Sequence, residues 1–563
     1  MDTLDFLVVG AYFLLIFTVA FYVTRKERKE KSSDAYFLGG KNSGWFVIGA
    51  SLFASNIGSE HLIGLAGSGA RGDFVNGQFE ILAALILLLL GWVFVPFYIK
   101  SGVFTMPEFL EKRYSRGARR YLSVISILAY VLTKISVTIF AGALVFEQLL
   151  GIDFWTGAVL VVIATGVYTI FGGLKAVVYT DMVQMFVLVG GAIAVTAFGI
   201  DQLGGWDAMM TSITADVGDS KATDYLSLWR PNTDTNYPWT GILFGAPILG
   251  VWYWCTDQFI VQRVLSAKDP ANARQGTIFA GFLKLLPIFL FVLPGVVAFG
   301  LFTQDGTLLL GEDGEILYDA ALPAMVANYL PVGLKGLVAA GLLAALMSSL
   351  SSVFNSCSTL VTMDFFKIWN PDLSERRLVY IGQVSTAVLV VIGLAWIPLM
   401  ENMMSDGGLF KYLQSIQAYI SPPIAAVFLF GILTPAVNHR GAILALWTGF
   451  VVGCVRLALE FMTATDAAGN AILSVQKGGL IDSFVSINFL HFALILFFIS
   501  SIVHFVGSRG VQHDRQAILY LTMADRNKEF MKQPAVKRDL LLTMILVALV
   551  IILWVMFSPI GIA

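Results

Sequence analysis

Charge is scarce in this 563-residue chain: only 13% of its residues are Asp, Glu, Lys or Arg, about half the roughly 25% usual in soluble domains. Cysteine is scarcer still. Cys255, Cys357 and Cys454 are the only three; all fall inside apolar segments, and none has disulfide or metal-ligand spacing, so they say nothing about redox compartment. No Lys/Arg run is interleaved with aromatics and the formal net charge is −2, which sets nucleic acid aside as a partner. No catalytic triad, phosphate loop or metal-ligand cluster is present, so an enzymatic reading has little support. There is also no soluble domain, low-complexity tract or long linker. The first residues, from Met1 to Asp5, are acidic, and the apolar run after them lacks a small-residue cleavage site, so it reads as a retained span rather than a signal peptide.

What is abundant is apolar sequence, at 57% with a mean hydropathy of +0.78. It comes in runs long enough to cross a lipid bilayer, for which about 20 helical residues suffice. The runs lie near 6–24, 45–70, 76–99, 121–149, 154–171, 176–200, 238–262, 276–303, 332–361, 378–400, 410–434, 441–461, 484–507 and 540–559, about fourteen in all. If they alternate in direction, the basic loops fall on one side: Arg25 to Lys31, Lys112 to Arg120, Arg263 to Arg274, Arg376-Arg377, His439-Arg440 and Arg509 to Arg538. By the positive-inside rule that side is cytoplasmic. The opposite loops are acidic, with Asp201, Asp207, Asp216, Asp219, Asp224 and Asp234 in one, and Asp305, Glu312, Asp313, Glu315 and Asp319 in another. An even number of crossings then puts both termini outside the cytoplasm of a multi-pass cell-membrane protein. Segment 508–539 is its only sizeable polar cytoplasmic element.

Two runs are interrupted by glycine and polar residues. The run 45–70 holds Ser55-Asn-Ile-Gly58-Ser-Glu-His61, and the run 238–262 holds Gly250 and Trp252-Tyr-Trp-Cys-Thr-Asp257. They would cross in opposite directions, the pattern of an inverted-repeat transporter with its site at the bilayer midplane.

A charged side chain at a helix centre costs about 2.5–3.5 kcal/mol in hydrocarbon even on the mildest scale, so each needs a partner or a wet cavity. Glu80 opens the third run and reads either as an interfacial cap or as a buried acid. Lys284, in Gly281-Phe-Leu-Lys-Leu-Leu-Pro-Ile288, is buried or snorkels to the headgroups. Asp181 suits the start of its helix. In Ala344-Ala-Leu-Met-Ser-Ser-Leu-Ser-Ser352, the residues Ala345, Ser348, Ser349 and Ser352 share a face, with Ser351 one turn from Ser348. Small residues so spaced serve close helix packing. They also offer hydroxyls to a hard cation, together with carbonyls freed around Ala54 to Ile57. Asn56, His61, Glu80, Lys284 and Gln414 are hydrogen-bonding groups suited to a ligand's hydroxyls. Tyr253 and Trp254 are either an apolar face for a pyranose ring or members of an interfacial aromatic girdle.

These residues resemble the sodium/solute symporters, most closely the animal sodium-glucose cotransporters, with the bacterial sodium-galactose symporter more distant. The similarity runs over nearly the whole chain from Tyr36-Phe-Leu-Gly-Gly-Lys41 onward. It is dense in Phe53-Ala-Ser-Asn-Ile-Gly-Ser59, Gly172-Gly-Leu174 through Tyr179-Thr-Asp181, Trp252 to Gln258, Met347-Ser-Ser-Leu350 and Tyr412-Leu-Gln-Ser-Ile416. The resemblance implies an all-α integral membrane protein of about fourteen transmembrane helices with a ten-helix inverted-repeat (LeuT-like) core. On this chain the N-terminal flank is 1–44, the repeats are 45–203 and 238–434 around an acidic extracellular loop 204–237, and the C-terminal flank is 435–563. Sugar contacts would be Asn56, His61, Glu80, Lys284 and Gln414, with Tyr253 as inner gate, Trp254 beside it, and Phe79 and Phe410 in the outer lid. The sodium ion would be held by backbone oxygens of Ala54, Ile57 and Ala345 and the hydroxyls of Ser348 and Ser349. A second sodium would use Asp181, Ser348, Ser351 and Ser352. Departures are Gly250 and Gln417 for polar residues near the sugar, Lys411 for an acid, Glu60 for glycine, and the charged turn Arg71-Gly-Asp73. The function implied is sodium-coupled symport of a hexose-like sugar of the glucose or galactose class by alternating access. Inositol, sialic acid or another organic solute is the alternative substrate, and a sugar-gated sensor or leak channel the alternative function.

Overall fold

The computed structural model describes residues 1–27, 42–58, 60–103, 105–171, 174–311, 314–403, 408–463, 473, 477–510, 518 and 534–562. Among them are ten helices long and apolar enough to cross a membrane, from Phe74–Ser101 to Ala535–Met556. Shorter apolar helices span Thr3–Val19, Trp45–Asn56 and Phe154–Ile163, and the run 238–262 is a broken helix. Most of the cytoplasmic segment 508–539 lies outside the described residues, as do the side chains of Glu60 and Asp181.

Both interruptions are present, and each joins an extended residue to a wide π-helical turn. Helix Trp45–Asn56 stops at Ile57, whose φ and ψ are −71° and 96°, and the chain resumes as a π turn over Glu60–Leu65 and a short helix Ala66–Ala70. The second broken helix runs Trp239–Phe244 and Ala246–Gly250, then a π turn Val251–Thr256, then extended Asp257 (φ −74°, ψ 129°), then Gln258–Leu265. The break therefore falls at Asp257, the last residue of the interrupting stretch Trp252-Tyr-Trp-Cys-Thr-Asp257. Asp257 caps the new helix by accepting the N–H of Phe259 at 3.1 Å, which satisfies one of the amides that a helix start leaves orphaned.

Arginines tie the helices together at the end where the basic loops lie. Arg113 donates to the carbonyls of Gly431, Thr434 and Val437, closing the C-terminus of helix Gly408–Leu433 where carbonyls lack partners. Arg119 pairs with buried Asp364 at 2.6 Å, and Arg274 with buried Asp539 at 2.6 Å. The last pair docks helix Pro534–Met556 onto helix Pro270–Leu283.

Candidate functional site

A cavity of about 540 Å³ opens between the two broken helices, helix Gly77–Leu89 and helix Gly408–Leu433. Asn56, His61, Phe79, Glu80, Tyr253, Trp254, Phe410 and Gln414, drawn from four separate stretches of sequence, all line it. Of the expected substrate contacts, only Lys284 is withheld from the wall, and it is bonded to three residues that form it.

Lys284 is fully buried. Its ammonium contacts the Glu80 carboxylate, donates to Asn56 Oδ1 at 2.5 Å and lies 3.2 Å from His61 Nε2. It also stands 5.4 Å from the Trp254 ring centre, where a cation is attracted to the π face. The reading of Lys284 as a snorkelling residue and of Glu80 as an interfacial cap thus gives way to a compensated buried pair. Removing either partner would strand the other charge, at a cost of about 3–5 kcal/mol. His61 Nε2 lies 3.2 Å from Glu80, and its Nδ1 has no hydrogen-bond partner.

The opposite wall is different. Gln414 and Gln417, one turn apart on helix Gly408–Leu433, both line the cavity. An amide both donates and accepts, as a hydroxyl does, so this wall suits a polyhydroxylated ligand. Gly250 also lines the cavity, and the space a side chain would take there is filled by the Ile86 methyl. Phe79 and Phe410, both on the cavity lining, meet edge to face at 5.5 Å.

A second, smaller cavity of about 200 Å³ is lined by Ser55, Asn56, Gly58, Lys134, Phe259 and Ser349 among others. The hydroxyl of Ser349 is buried without a hydrogen-bond partner, and a Cβ on Gly58 would stand 2.8 Å from it. Glycine at the break therefore lets the serine helix Leu334–Val361 approach the freed carbonyls closely. Ala54, Ile57, Ala345 and Ser348 are all buried on the elements flanking this contact. Neutral oxygens from a broken helix and serine hydroxyls suit a hard monovalent cation.

The residues expected at a second cation site behave differently. Ser351 donates to the Ser348 carbonyl at 3.0 Å, while the Ser352 hydroxyl accepts from Arg263 at 3.2 Å. The same guanidinium donates to Ser55 at 2.6 Å.

Sequence reading missed Lys134. This buried cation donates to the Tyr253 hydroxyl at 3.0 Å and lies 4.5 Å from the Tyr253 ring centre and 4.8 Å from that of Phe259. A lone lysine inside the apolar run 121–149 was the signal, by the same cost that singled out Lys284.

The family model described as the sodium:solute symporter family matches residues 36–449. The human sodium/myo-inositol cotransporter is 41% identical over 489 residues, which cover 82% of this chain and 68% of that protein. The pig (Sus scrofa) sodium/glucose cotransporter 1 is 39% identical over 528 residues, covering 90% and 78%. The structure of a sodium-coupled sialic acid symporter in its substrate-bound outward-open state superposes with a TM-score of 0.73 at 20% identity, covering 91% of this chain and 98% of that one.

Proposed function

Because the chain belongs to the sodium:solute symporter family, we propose that it imports a hexose-like sugar of the glucose or galactose class, driven by sodium, through alternating access. The fold is the all-α, ten-helix inverted-repeat architecture with flanking helices, and we infer its two repeats at 45–203 and 238–434. The observation that carries the reading is the two-cavity arrangement. Asn56 lines both the larger cavity and the smaller one, and the smaller one is bordered by Ser349, whose unpartnered hydroxyl lies beside the break in the first broken helix.

In this reading the substrate's hydroxyls exchange with the bonds around Lys284, Glu80, His61 and Asn56, while the uncommitted wall holds them through Gln414. Sodium sits on the Ala54, Ile57 and Ala345 carbonyls and the Ser348 and Ser349 hydroxyls, and stabilises the form open to the outside. Closure brings Phe79 and Phe410 together, and release to the cytoplasm proceeds past Tyr253. Each sodium ion gains about 2.3 kcal/mol per 100 mV of membrane potential, more than a tenfold accumulation at about 1.4 kcal/mol per decade. A second ion at Asp181, Ser348, Ser351 and Ser352 would double that drive, and requires Arg263 to release Ser352. The positive-inside rule supports a reading in which the end held by Arg113, Arg119 and Arg274, where the basic loops lie, is cytoplasmic and both termini are outside.

A second reading is favoured by the 41% identical human sodium/myo-inositol cotransporter: the substrate is a cyclic polyol, whose ring of hydroxyls the same wall would accept. Uptake by proteoliposomes under an inward sodium gradient, compared across glucose, galactose, myo-inositol and sialic acid, tests both. Sodium-dependent accumulation of a hexose supports the first, and accumulation of myo-inositol alone supports the second. Sodium currents without accumulation of any of them would overturn symport in favour of a sensor or channel.

A further inference from the structure

Arg71 and Asp319 stand apart from both the substrate and the cation sets. Arg71 opens the turn that follows the first broken helix, which ends at Ala70. Its Nη1 donates to Asp319 Oδ1 at 3.0 Å, and the two side chains are only 14% and 15% exposed. The other oxygen of Asp319 accepts the backbone N–H of Leu409 at 3.1 Å. Leu409 lies in the first turn of helix Gly408–Leu433, where a carboxylate suits the orphaned amides and the helix dipole. The guanidinium also lies 5.1 Å from the Tyr318 ring centre.

Two glycines make this fit possible. Gly408 has φ +62°, and a Cβ there would stand 2.2 Å from Arg71 Nη1; glycine alone provides both the left-handed backbone and the room. A Cβ on Gly67 would stand 2.1 Å from Asp319 Oδ1. Asp319 is thus a fixed point to which the first broken helix and the first turn of the lid helix are both tied. One residue beyond Leu409 is Phe410, which meets Phe79, and one turn further is Gln414.

We propose that Arg71 is a positioning residue for the outer lid. Through Asp319 it holds the first turn of helix Gly408–Leu433, and with it Phe410 and Gln414, in register over the cavity, and it must let go each time the outer path opens. The proposal goes beyond the transport reading and rests on it only for the side from which the cavity opens.

The test uses full-length protein in intact cells, with Cys454→Ser removing the exposed cysteine, since Cys255 and Cys357 are buried. Leu82→Cys, on the cavity wall, serves as reporter for a membrane-impermeant methanethiosulfonate reagent added outside, without sodium or sugar. Arg71→Gln and Asp319→Asn are each expected to speed labelling about fivefold, and the double variant no further, because both break one latch. In the same variants without the reporter, the half-saturating concentration of the sugar the parent takes up should rise about fivefold while the maximal rate stays within about twofold. Labelling at the parent rate in variants present at the cell surface would overturn the proposal, as would additive effects. If Arg71→Gln fails to reach the surface, the near-isosteric Asp319→Asn decides. A parent that accumulates none of glucose, galactose, myo-inositol and sialic acid ends the transport reading, while the labelling rates still settle the role of Arg71.

Discussion

The side-chain amide of Asn56 donates to the hydroxyl of Tyr253 across 2.9 Å and so joins the two interrupted helices between the cavities. The same hydroxyl accepts from Lys134 at 3.0 Å, and the Asn56 carbonyl accepts from Lys284 at 2.5 Å. Glu80, Lys284, Asn56, Tyr253 and Lys134 therefore form an unbroken polar chain from the larger cavity into the smaller one. A ligand that draws Asn56 toward itself disturbs groups on both sides, which is the physical content of coupling between two sites.

That chain makes Asn56 and Tyr253 energetically dependent. Asn56→Ala should raise the half-saturating sugar concentration about tenfold, roughly 1.4 kcal/mol. Tyr253→Phe, which keeps the ring and loses only the hydroxyl, should cost less. Combining the two should cost less than their sum by about 1 kcal/mol, since each alone already breaks the shared bond. Strict additivity in sodium-driven uptake would show that the bond does not operate in the transporting states.

The Glu80 and Lys284 pair separates stability from function. Glu80→Gln leaves a fully buried ammonium without its counter-charge and should lower the unfolding free energy by about 3–5 kcal/mol, read as a fall in melting temperature in detergent. Glu80→Gln with Lys284→Met removes both charges and should recover most of that loss while leaving transport abolished. A Glu80→Gln protein as stable as the parent would show that water reaches Lys284 and screens it.

Spans, interruptions and the two intramembrane charges were legible because each follows from a local cost, whereas the rest of the expected substrate set came from the family resemblance. Hydrophobic run length reports the bilayer, glycine and polar residues mark where a helix stops, and Lys284 and Glu80 are charges that hydrocarbon does not tolerate unpaired. Which residue of the interrupting stretch from Gly250 to Asp257 ends the helix was not legible, because the π turn over Val251–Thr256 carries it to the capping carboxylate of Asp257. Partnerships across long separations were also hidden. Lys134 is 119 residues from Tyr253, and Arg71 is 248 residues from Asp319. Each charge was visible in the chain, yet only packing reveals what satisfies it.

Ser349 offers a test of the cation pocket alone. Its hydroxyl is buried and unpartnered beside Gly58, so Ser349→Ala removes an oxygen that bonds nothing else in the protein. The expected result is a half-saturating sodium concentration raised about tenfold, with sugar affinity at saturating sodium nearly unchanged. An unaltered sodium activation curve would remove Ser349 from the site.

Asp73 lies outside the spans, in the turn after Arg71, and its carboxyl is pushed up to about 6 from the ordinary 3.8, chiefly by burial, with Arg230 and Arg71 opposing the shift. Between about pH 4 and pH 6 the folded protein keeps a proton that the unfolded chain has released, so this group's contribution to stability falls as pH rises through that window. At 1.36 kcal/mol per unit the whole shift is worth at most about 3 kcal/mol. Asp73→Asn imitates the protonated form at every pH, and Arg230 is not stranded by it, since Arg230 keeps Asp224 and the Gly72 carbonyl. The variant's melting temperature should therefore exceed the parent's at pH 7.5, with a smaller gap at pH 5. A variant less stable than the parent at pH 7.5 would mean that the 3.8 Å approach of Arg230 to Asp73 outweighs the burial of the carboxylate.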